Sequence, residues 1–128
     1  MAEFILKDMV AKKGLGHLVT EIASCAVSAE EVGNPVYPPA KRELAGHGIS
    51  CEGKTARRIT LADYDAYDLI VAMDRSNMRL LNRILGPSKM DKVRMLLDRD
   101  VADPWYTGDF ATTYEDIVRG CEALLHLL

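Results

Sequence analysis

The sequence has 128 residues, 48% of them hydrophobic and 27% charged, with 16 Lys and Arg against 19 Asp and Glu. That size and balance suit one globular domain and argue against a disordered chain. No apolar run nears the roughly 18 residues a membrane helix requires, and a net charge of −3 gives no support to nucleic-acid binding through phosphate neutralisation. The opening MAEFILKDMV lacks the basic-then-apolar order of a signal peptide, so a cytoplasmic location without membrane attachment is expected.

The first predicted element is a helix. Ala2, Ile5, Leu6, Met9 and Val10 recur at helical spacing, Gly14 and Gly16 end it, and no Ser, Thr or Asp stands ahead as a cap. Leu18 to Val27 reads as a strand. Ser28 to Pro39, with Gly33, Asn34 and three prolines, is a long loop, and Pro38 or Pro39 opens a short helix through Leu44. Residues 49–59 are irregular, and Thr60 to Tyr67 holds a short helical turn. Leu69 to Met73 is continuously apolar, the pattern of a parallel strand covered on both faces. Ser76 is expected to cap a helix carrying Met78, Leu81, Ile84 and Leu85, stopped at Gly86-Pro87, and Asp74 reads as a strand-end or capping residue. Val93 to Leu97 is a third strand. Asp98 to Thr112 follows as a loop of about 15 residues, long enough to suspect function. Thr112 and Glu115 have capping-box spacing at the head of a last helix, whose apolar stripe is Ile117, Cys121, Leu124, Leu125 and Leu128. Strands alternating with helices predict one α/β domain over residues 1–128 with a mostly parallel sheet.

Cys25, Cys51 and Cys121 are far apart with no C-x-x-C pair, and His17, His47 and His126 are equally scattered. A disulfide scaffold and a structural zinc site are not expected, and no cofactor is expected. Cys25 and Cys121 read as core residues. The loop after the third strand lies where α/β folds bind ligands, and it holds Asp103-Pro-Trp-Tyr106 with the only Trp of the chain. This combination suggests an aromatic-walled cleft with a carboxylic acid placed for proton transfer, against the plainer reading of an Asp-Pro turn. A calcium loop over Asp98, Asp100 and Asp103 lacks the required Gly at its sixth position. Cys51-Glu-Gly-Lys-Thr-Ala-Arg57 has the spacing of a phosphate-cradling nucleophile loop, in which backbone N–H groups and a guanidinium hold phosphate and lower the thiol pKa. It lacks the strand before and the strong helix after that such a cradle needs, so it reads as a chance match.

Met1-Ala-Glu-Phe4, Ser24, Ser28-Ala-Glu-Glu-Val-Gly-Asn-Pro35, Ala56-Arg57, Tyr67-Asp-Leu-Ile-Val-Ala-Met-Asp74 with Ser76-Asn77, and Asp103-Pro-Trp-Tyr106 occur in fixed order. Together they resemble the low-molecular-weight protein-tyrosine phosphatases over essentially the whole chain. The resemblance implies a flavodoxin-like sheet of four parallel strands flanked by helices, and metal-free hydrolysis of phosphotyrosine through a phosphocysteine. Asp103 would be the general acid and base, Trp105 and Tyr106 the aromatic walls, Asn34 and Tyr37 the opposite wall, and Ser24 a hydroxyl supporting the phosphate loop. The substrate partner would be a phosphotyrosine protein or a small aryl phosphate.

The family's Cys-x5-Arg-Ser-Pro loop comes immediately before the Met-Ala-Glu segment, and this sequence starts at that segment. The chain is therefore expected to be truncated at its N-terminus, without the central first strand and nucleophile, and to be inactive as a phosphatase. Strand edges left exposed would favour a homodimer. The alternatives are a non-catalytic binding or dimerisation module using the Trp105–Tyr106 cleft, and an arsenate-reductase-like enzyme, which would need a relay pair of cysteines.

Overall fold

Two parallel strands, β1 (Ile70–Ala72) and β2 (Val93–Met95), pair with Ile70 opposite Val93 and Ala72 opposite Met95. They belong to a computed structural model that describes residues 1–127. The remaining elements are α1 (Ala2–Lys12), α2 (Pro38–Gly46), α3 (Leu61–Ala66), α4 (Arg75–Leu85), α5 (Pro104–Thr107), α6 (Phe110–Leu125) and a short 3-10 helix, Pro87–Lys89. Among the described residues, no helix is long and apolar enough to cross a membrane.

Alternation along β1 sends its side chains into two cores. Ala72 is buried with Ile59 and with Leu81 and Leu85 of α4, and Ile70 packs beside them. Val71 and Met73 pack on the other cluster, built from Ile5, Leu44, Ile117 and Cys121 of α1, α2 and α6. The result is an α/β fold with helices on both faces of a parallel sheet, as the apolar Leu69–Met73 run predicts.

Helix α6 approaches the sheet where it has no side chain. A Cβ on Gly120 would collide with Cγ of buried Leu96 and lie 2.9 Å from its Cδ1, so only glycine fits without displacement. Helix α4 stops at Gly86, whose φ of 91° favours glycine.

Several segments depart from their expected form. Leu18 to Val27 is not a strand, because only Ala26 finds a partner. Its N–H donates to Arg57 C=O (2.7 Å) and its own C=O accepts from Ile59 N–H (2.8 Å), a single bridge rather than a ladder. Cys25 is exposed instead of core. Among the described residues the sheet has two strands, with isolated bridges at Ala26, Val32 and Pro35, against the three strands that the sequence predicts.

Two helix caps fall on residues other than Ser76 and Thr112. Asp74, in extended conformation, caps α4 by accepting from Asn77 N–H at 2.7 Å, and Ser76 is already inside the helix. Asp109 caps α6, accepting from Thr112 N–H (3.0 Å) and Thr112 Oγ1 (2.6 Å), so the helix starts before the Thr112–Glu115 pair. The 98–112 segment also contains α5. Leu128 of the last stripe lies outside the described residues.

Candidate active site

Asp103 stands at the N-cap of α5, and Pro104 behind it supplies a preset φ for the first helical position. The carboxylate accepts from Trp105 N–H at 3.0 Å, and Gly108 closes the turn with φ of 70°. The Asp-Pro turn is present, and it fixes the carboxylate at the head of α5. Asp103 is exposed. Trp105 is 67% exposed and Tyr106 85%.

The segment before α2 meets this loop through aromatic contact. Tyr37 and Trp105 have ring centroids 5.1 Å apart, tilted by 55°, and Tyr37 lies 6.1 Å from Phe110. Helix α2 begins at Pro38, directly after Tyr37, which restricts the Tyr37 backbone beside Trp105. Asn34 is nearby in sequence, but its Nδ2 donates to Glu31 at 2.6 Å and its C=O accepts from Ala56 N–H at 2.8 Å.

Ser24 belongs to a charged cluster at the first turn of α1. Its Oγ donates to Glu3 at 2.7 Å, Lys54 and Lys7 pair with the same carboxylate at 2.8 and 2.6 Å, and Lys54 also donates to Ser24 C=O at 2.9 Å. Burial pushes the Glu3 carboxyl up, but the Lys54, Lys7 and Ser24 donors outweigh it and hold it at about 2. Nothing in the local sequence signals this cluster, because Glu3, Ser24 and Lys54 come from three separate segments.

The Cys51–Arg57 spacing does not form a cradle. Cys51 is 4% exposed in the core, and the Arg57 guanidinium is engaged by Asp63 at 2.8 and 2.9 Å. That pairing holds Asp63 down to about 2. Cys121 is buried in the same cluster as Cys51, and burial pushes its thiol up to about 12. Among the described residues, no group of three His, Cys, Asp or Glu gathers as a metal site.

The loop leading to Asp103 is tied down on both sides. Arg75 N–H donates to Asp100 (3.0 Å) and Val101 N–H to Met73 C=O (2.9 Å). Arg99 grips the buried Asp116 of α6 at 2.9 and 3.0 Å, Ala102 N–H reaches the same carboxylate at 3.4 Å, and Thr113 Oγ1 donates to Ala102 C=O at 2.8 Å. Arg99 beside Asp116 holds that carboxyl below the usual range.

The sequence and the fold recur in known proteins. The family model for low molecular weight phosphotyrosine protein phosphatase matches residues 1–128. The low molecular weight protein-tyrosine-phosphatase YfkJ of Bacillus subtilis is 36% identical, covering 98% of this chain and 84% of that protein. The human low molecular weight phosphotyrosine protein phosphatase is 33% identical over 98% of this chain and 84% of its own length. The crystal structure of SP-PTP from Streptococcus pyogenes superposes with a TM-score of 0.90 at 32% identity, covering 99% of this chain and 82% of that one. The chain belongs to the low molecular weight protein-tyrosine phosphatase family.

Proposed function

We propose that this domain binds aryl phosphomonoesters of the phosphotyrosine type against the exposed aromatic edge that Tyr37, Trp105 and Tyr106 form, with Asp103 as the proton-transfer group. The observation that carries this is the Asp103 carboxylate, fixed at the head of α5 beside a Trp105 ring that meets Tyr37 at 5.1 Å. In the family reaction a cysteine thiolate attacks phosphorus and the P–O bond to the phenol breaks. Asp103 would protonate the departing phenolate, then take a proton from the water that releases phosphate. Ser24, held by Glu3, is read as support for the phosphate-binding side, and Asn34 as part of the wall opposite Trp105.

Within these 128 residues no Cys-x5-Arg-Ser-Pro occurs, Cys51 and Cys121 are buried, and Cys25 lies on an exposed segment. A polypeptide of these residues alone is expected to bind phosphotyrosine without turning it over. Phosphotyrosine should change Trp105 fluorescence, and aryl phosphate hydrolysis should stay at background. Tyr37→Ala should weaken the fluorescence response about tenfold, the scale of one lost aromatic contact. Family-like hydrolysis insensitive to Cys51→Ser, or a Trp105 signal unmoved by phosphotyrosine, overturns the proposal.

A second copy of this chain is a further proposed partner. Ile70 N–H and Ala72 C=O point toward the β2 side, donating to Lys92 and accepting from Leu96. Alternation in a parallel ladder therefore turns the Val71 backbone groups away from β2, toward a free edge.

A further inference from the structure

The chain is anchored up to the residue before Asp103 and exposed beyond it. Ala102 is held at both backbone groups by one helix: its N–H by Asp116 (3.4 Å) and its C=O by Thr113 Oγ1 (2.8 Å). Asp116 and Thr113 are both buried, three residues apart on α6, and Arg99 locks Asp116 from the loop side. From Asp103 to Asp109 nearly every residue is exposed. A carboxylate on such a segment can hold one position only if the residue entering it is fixed.

We infer that Asp116 and Thr113 are positioning residues for Asp103, setting the direction in which the α5 turn presents its carboxylate and the Trp105 wall. This rests on the reading of Asp103 as the proton-transfer group. Neither residue touches the substrate; Asp116 acts through Ala102, and Thr113 through Ala102 and, at 3.3 Å, the Asp109 C=O at the other end of the α5 turn.

The test is backbone 15N relaxation on the 128-residue chain and two near-isosteric variants, Asp116→Asn and Thr113→Val, with phosphotyrosine titrated into each. In the unmodified chain, order parameters at Asp103 and Trp105 should be near the rigid value of about 0.85. In both variants order at these two residues should fall below about 0.6 while Val71 stays rigid, and phosphotyrosine affinity read at Trp105 should drop about tenfold. Unchanged order at Asp103 and Trp105, a loop already mobile in the unmodified chain, or equal loss at Val71 in both variants overturns the inference. A Trp105 amide unmoved by phosphotyrosine in every chain, with the order changes present, overturns the reading of the site and supports the anchoring.

Discussion

Glu3 shows how a single residue carries long-range information. Its carboxylate gathers donors from Lys7, Ser24 and Lys54 and is held at about 2. A carboxyl depressed in the folded state stabilises fully above its unfolded pKa of about 4.3, and that contribution is lost as pH falls through the folded value. Glu3 contributes on the order of 2–3 kcal/mol by this route. The urea midpoint should be level from about pH 7 to about 5 and fall below about 4. Glu3→Gln should flatten that acid limb, and an unchanged limb refutes the account. Asp103 and Trp105 are legible in the sequence because they are neighbours there. Glu3 is not, because folding brings its partners to it.

Elements that rest on local signals match their reading. Helical spacing places α1, α4 and the α6 stripe, and the apolar run places β1. Misread elements depend on partners. The 18–27 segment is partly apolar, but a strand exists only where another backbone completes its ladder. The packing of α6 on the sheet is likewise set by Gly120 against Leu96, the residue that follows β2. Gly120→Ala should destabilise by about 1–3 kcal/mol, read as a lower urea midpoint, with Leu96→Ala in the same chain recovering part of the loss. A Gly120→Ala midpoint equal to the parent's would show that the sheet yields at this contact.

At the scale of the whole molecule, β1 divides two cores, and among the described residues the Val71 backbone groups have no strand partner. Free edges recruit further strands. Sedimentation velocity should therefore show a mass that rises with concentration in the micromolar range, and a monomer at every concentration with one sharp thermal transition would refute the proposed self-association.

Periodicity and contiguous motifs are local properties of a chain. They were enough to establish the α/β alternation, the Asp103-Pro-Trp-Tyr106 constellation and the family. That Cys51 is core, that Arg57 belongs to Asp63, that Tyr37 meets Trp105, and that α6 anchors the residue before Asp103 emerge only on folding. Those facts depend on which distant segments pack together, and no local pattern of residues records that.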